Sequence, residues 1–127
     1  MSTDTTIAVA MFAIADQDDA VAFYTTTLGW EVRSDVSWGE GDTAGRWVEV
    51  APPASTARLA LNPPMNGEPG GGSIGVETDD LAAEKSRIQA AGIEIVNEMP
   101  GGGPVPAMFA INDPDGNWIW VAQAGAM

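Results

Sequence analysis

Two short stretches of the chain can be laid over one another: Leu28-Gly29-Trp30-Glu31-Val32 and Ala91-Gly92-Ile93-Glu94-Ile95. In each, a glycine closes a segment of helical spacing and opens a segment of alternating apolar residues, the mark of a helix stop followed by a strand. Gly29 and Gly92 lie 63 residues apart in a chain of 127. Self-similarity at half the chain length points to two like modules. A module of that size buries a core poorly by itself, so the halves are expected to pair.

Each half reads as β-α-β-β-β. In the first, residues 7–14 (IAVAMFAI) form a strand-like apolar run, and Asp16 is placed to cap a helix carrying Ala20, Phe23, Tyr24 and Leu28. Strands are expected at 30–38, 46–50 and 57–62, with turn chemistry in 39–45 and 51–56. Residues 62–72 are rich in proline and glycine and read as a linker. The second half repeats the order: a strand at 73–78, a helix capped by Asp80 with Leu81, Ile88 and Ala91 on its apolar side, then strands at 93–97, 106–112 and 117–123. The expected class is α+β, one domain over 1–127, with module one at about 5–62 and module two at about 73–123.

Composition removes several kinds of chemistry. Histidine and cysteine are both absent, so there is no Ser–His relay, no thiolate nucleophile and no thiolate or imidazole metal ligand. Eighteen acidic residues against five basic ones give a formal net charge of −13, which repels nucleic acid and anionic membranes and favours cationic partners. No apolar run is long enough to span a bilayer, and the opening MSTDTTIAVAMF lacks the basic region of a secretory leader. A cytoplasmic protein with no nucleic-acid or membrane partner is expected.

Three stretches, IADQDDAVAFYTTTLGWEV (14–32), IGVETDDLAAEKSRIQAAGIEI (74–95) and DPDGNWIWVAQ (113–123), resemble the glyoxalase/bleomycin-resistance/dioxygenase superfamily, the vicinal oxygen chelate proteins. The resemblance runs through both modules in order. It implies two paired modules forming a curled half-barrel sheet, with helices on the outer face and a site on the concave face, and commonly a homodimer. In the family's enzymes a divalent metal is held by His, Gln or Glu at four strand positions. Carried over one at a time, these fall on Val9, Ala60, Ser73 and Trp120, none of which supplies the expected ligand. The resemblance thus implies a member that lacks the family's metal ligands, and no metal or other cofactor is expected.

Strand alternation indicates what lines the concave face instead. With Val48, Val50, Phe12, Ile14, Ile119 and Val121 assigned to the helix side, the inward set is Met11, Trp47, Met108, Trp118 and Trp120, with Glu49 and Glu77 as carboxylates on the same side. Met108 is taken as inward against Phe109. Trp30 reads as core, and Trp38, beside a glycine-rich turn, as a cavity rim, a dimer contact or a partly exposed side chain. Indole faces stack on planar molecules and attract cations, and Met adapts to irregular shapes. The expected function is metal-independent binding of a planar aromatic, antibiotic-like molecule, either neutral or cationic. The alternatives are a metal-free isomerase, cyclase or lyase with Glu49 or Glu77 as general base, and, third, a metal-dependent lyase or dioxygenase with an unusual oxygen shell.

Overall fold

The computed structural model describes residues 3–125; Met1 and Ser2, which open the stretch read above for a leader, lie outside them. The chain divides into two compact units, Met1–Pro69 and Gly70–Met127. The first runs β1 (Val9–Ala13), α1 (Gln17–Ala22), a π-helical turn (Phe23–Thr27), β2 (Glu31–Trp38), a 3-10 turn (Gly41–Thr43), β3 (Gly45–Ala51) and β4 (Arg58–Asn62). The second runs β5 (Ser73–Thr78), α2 (Leu81–Ala90), β6 (Asn97–Met99), β7 (Met108–Asn112) and β8 (Trp118–Gln123).

Each unit holds one four-stranded mixed sheet, ordered β1-β4-β3-β2 in the first and β5-β8-β7-β6 in the second. One parallel pair (β1 with β4, β5 with β8) sits beside two antiparallel pairs. The expectation of a curled half-barrel fails here. Each sheet is open and not strongly curled, ending in edge strands with one neighbour apiece: β1 and β2 in the first, β5 and β6 in the second. The physical reason is that closure requires every strand to have two partners and a staggered register. Four strands with ordinary twist leave two edges, and β6 is only three residues long. The expected strand at 93–97 is also displaced. Val96 N–H donates to Ala110 O at 2.9 Å, and regular pairing begins only at Asn97 opposite Ala110.

The helix ends are built from the residues that mark them in the sequence. Asp16 Oδ1 accepts from Asp19 N–H at 2.9 Å, and Asp80 Oδ1 accepts from Ala83 N–H at 3.0 Å, each satisfying a donor that has no partner within the helix. Gly29 and Gly92 both take φ of 86°, the left-handed conformation that closes a helix without a Cβ clash. The first helix widens into its π turn before stopping, so Trp30 N–H reaches back six residues to Tyr24 O at 2.8 Å, where Ile93 N–H reaches back five to Ile88 O at 3.3 Å.

The core of the first unit lies between α1 with its π turn and one face of the sheet. Ala20, Tyr24 and Leu28 meet Phe12, Ile14, Val48, Val50, Leu59 and Leu61, all buried. Trp30 joins them, with its ring 5.2 Å from that of Tyr24. In the second unit the buried set is Ile88 from α2 with Phe109, Ile111, Ile119 and Val121. Strand alternation sends the remaining side chains to the opposite face of each sheet.

Candidate functional site

On the face of the first sheet away from α1, register brings together Met11, Ala60 and Glu49, then Trp47 with Val36, and Trp38 with Gly45. Directly opposed residues share a face. Glu49 is 9% exposed and its carboxylate is held on both oxygens: Trp47 Nε1 donates to Oε2 at 2.8 Å, and Arg58 Nε donates to Oε1 at 2.7 Å. Burial of this charge is possible because a cation and a strong donor compensate it. One consequence is a Trp47 side chain held in a single orientation. Another is that Glu49, a candidate general base in the sequence, is ion-paired with Arg58. Glu77, the other candidate, is exposed on β5 opposite Ala122.

Beside Trp47 the sheet opens into a pocket of about 950 Å³ in the first unit, within the range of roughly 300–1,000 Å³ common for small-molecule sites. Met11, Trp38, Trp47, Pro63, Pro64 and Met65 supply its apolar wall, and Gln17, Arg46 and Asn62 its polar edge. Trp38 lies across Gly45 so closely that a Cβ at that glycine would stand 2.4 Å from Trp38 Cζ2. A glycine in the strand lets the flat ring pack on the backbone. Large apolar groups at this pocket face solvent: Met11 is 62% exposed, Trp38 53% and Met65 97%. Arg46 is fully engaged, donating to Asp35 Oδ1 and Oδ2 at 2.9 Å each and to Asp18 Oδ1 at 2.7 Å. Those hydrogen bonds hold the Asp35 carboxyl below its usual range and push the Arg46 guanidinium further above its own.

The other three expected ligand residues stand on the second sheet. Trp118 and Trp120 stack with ring centroids 5.8 Å apart and planes inclined by 18°, both half-buried. Ala110 opposes Trp120 and Met108 opposes Ala122, so Met108 shares their face while Phe109 is buried on the other. Gly75 is paired with Trp120, and a Cβ there would meet nothing within 4 Å, so space is open beside the indole. The five residues grouped by the sequence thus fall on two sheets, Met11 and Trp47 on one and Met108, Trp118 and Trp120 on the other.

Sequence reasoning left Trp38 open and took residues 62–72 for a bare linker, although Asn62, Pro63, Pro64 and Met65 line the pocket. One signal was available for Trp38: a glycine directly across a hairpin from an indole. For Pro63 to Met65 none was, because their placement follows from where β4 ends.

The four positions carried over from the metal-binding members do not fit a divalent ion. Val9 and Ala60 have no side-chain donor, the Trp120 indole nitrogen only donates a hydrogen bond, and Ser73 offers a lone neutral hydroxyl. Among the described residues no group of three or more His, Cys, Asp or Glu could hold a metal, and no helix is long and apolar enough to cross a membrane.

A family model described as the Glyoxalase/Bleomycin resistance protein/Dioxygenase superfamily matches residues 6–121. No curated protein matches the chain. Among solved structures, a glyoxalase/bleomycin resistance protein from Streptomyces sp. CB03234 is 29% identical with a TM-score of 0.77, covering 93% of this chain and 100% of that one. TnmS3, an antibiotic binding protein from Streptomyces sp. CB03234, is 27% identical with a TM-score of 0.79, covering 96% and 98%. A superfamily member from Sphaerobacter thermophilus DSM 20745 is 26% identical with a TM-score of 0.75, covering 94% and 97%.

Proposed function

The chain belongs to the glyoxalase/bleomycin resistance protein/dioxygenase superfamily, and from that premise we propose that it is a metal-independent binding protein for a planar aromatic, antibiotic-like small molecule. The observation that carries this is the pocket of the first unit, about 950 Å³ and walled by the indoles of Trp38 and Trp47 with Met11 and Met65. A flat ring entering it gains apolar burial and ring contacts worth about 0.5–1.5 kcal/mol each beyond the area term. The net charge of −13 favours a cationic ligand over an anionic one of the same shape. The stacked Trp118 and Trp120 of the second unit offer another indole surface, kept as a second contact for the same class of molecule. Likeness to an antibiotic binding protein of 27% identity supports the choice of ligand class. The donor set rejected above removes a metal from the mechanism, and Glu49, bound to Arg58 and Trp47, acts to position the wall.

Titration of tryptophan emission with bleomycin-type, quinone and other planar antibiotics tests this. Saturable quenching by at least one class is expected, lost in Trp47→Phe and weakened in Trp38→Phe. The absence of any response across the panel sinks the proposal.

A further inference from the structure

At the polar edge of the pocket, one side-chain amide carries a buried acceptor that the chain itself does not satisfy. Asn62 ends β4, paired with Ala13 of β1, and follows the buried Leu61, so alternation points it to the pocket face. Its Oδ1 is withdrawn from water and has no hydrogen-bond partner, alone in this respect among buried side-chain polar atoms of the described residues. Gln17 stands on the same edge. Its Nε2 donates to Arg46 O at 2.9 Å and to Leu61 O at 3.1 Å, which fixes the amide and leaves Oε1 as its remaining acceptor. Two nearby donors are committed elsewhere, the Arg46 guanidinium to Asp35 and Asp18, and the Trp47 indole N–H to Glu49. A buried acceptor without a donor has given up its water and received nothing in return, so such atoms call for a partner outside the chain.

We propose that this pocket selects planar ligands bearing N–H or O–H donors on the ring edge, and that Asn62 Oδ1 is the acceptor that reads them. The inference rests on the pocket assignment made above and adds the chemistry of the ligand's rim to it. Specificity follows because a donor-bearing ring satisfies the orphan acceptor, while a ring with its donors capped leaves it unpaired and buried. The net charge of −13 works in the same direction, since a cationic N–H makes the stronger bond to a neutral acceptor.

Two dyes of one shape separate the possibilities. Proflavine is a planar tricyclic cation with free ring amino groups and a protonated ring nitrogen; 10-methyl acridine orange has the same tricycle and charge with all three nitrogens methylated, so it carries no N–H. Calorimetric titration of the full chain is expected to show proflavine bound about tenfold more tightly, the scale of one hydrogen bond to a charged donor. In Asn62→Leu the preference falls below twofold, through loss of proflavine affinity alone, and the thermal midpoint holds or rises because an unpaired buried polar group has been removed. Asn62→Ala gives the same loss of preference if leucine proves too large for the site. A preference that survives both substitutions, or equal weakening of both dyes, overturns the role of Asn62 and leaves the pocket assignment standing. Failure of the unsubstituted protein to bind either dye overturns the pocket assignment and this inference with it.

Discussion

Glu49 shows how one buried carboxylate can hold two neighbours in place. Its two oxygens hold Trp47 and Arg58, so removing it leaves an indole N–H and a guanidinium without their acceptor. Glu49→Ala is expected to cost about 1–3 kcal/mol in urea unfolding and to shift the Trp47 indole N–H resonance. Glu49→Gln keeps an acceptor for that N–H and should restore most of the resonance position. Gly45 makes the complementary case through absence of a side chain. A methyl group there would overlap Trp38 at 2.4 Å, and the far end of that indole is what must move. Gly45→Ala should therefore displace the half-exposed Trp38 and weaken quenching by planar ligands several-fold, at a stability cost toward the low end of the roughly 1–3 kcal/mol typical of overpacking. A substitution that left quenching unchanged would separate Trp38 from the site.

At the scale of elements, α1 is short, six residues before it widens into the π turn, and two devices hold it. Asp16 caps it, and Arg46 of β3 ties Asp18 in its first turn to Asp35 of β2. Asp35 has its folded pKa lowered by Arg46, so its contribution is present above the unfolded value of about 3.9 and fades as pH falls through the lower folded value. The stability difference between wild type and Asp35→Asn is accordingly expected at pH 7, should begin to shrink below about pH 4 and should be lost only once pH has fallen through the lower folded value, read by thermal melts across pH. The pair is solvent-exposed, so the difference at pH 7 should also shrink in high salt. The DPDGN turn before β8 is a buried polar device of another kind. Asp113 Oδ1 accepts from Asp115 and Asn117 N–H at 2.9 Å, its Oδ2 accepts from Asn117 Nδ2 at 3.0 Å, and Asn117 Oδ1 accepts from Gly72 N–H at 2.9 Å. This turn launches the strand that carries Trp118 and Trp120. Asp113→Ala is expected to cost about 2–3 kcal/mol in chemical unfolding and to disturb both indole resonances.

For the molecule as a whole, a net charge of −13 on 127 residues means self-repulsion in the compact state. The thermal midpoint should rise with added salt as that repulsion is screened, over a range where isolated surface pairs weaken; a flat or falling midpoint would contradict this. What the sequence by itself determined is local. The caps at Asp16 and Asp80, the stops at Gly29 and Gly92, the order of elements in each half and the faces of Trp47, Met108, Trp118 and Trp120 all follow from short-range rules of hydrogen bonding, backbone freedom and strand alternation. The missing metal donors at Val9, Ala60 and Trp120 were legible for the same reason, since donor chemistry belongs to the residue. What only the tertiary structure decided depends on residues distant in sequence. Whether each sheet curls or stays open depends on which strands find neighbours. The hold of Glu49 on Trp47 needs Arg58 brought across from β4, the packing of Trp38 on Gly45 needs the β2–β3 register, and the unpaired acceptor of Asn62 becomes meaningful only once β4 sets it opposite Ala13 of β1 at the edge of the pocket. Alternation along a strand tells which side a residue takes; the partners that wait on that side are set by the packing of the whole chain.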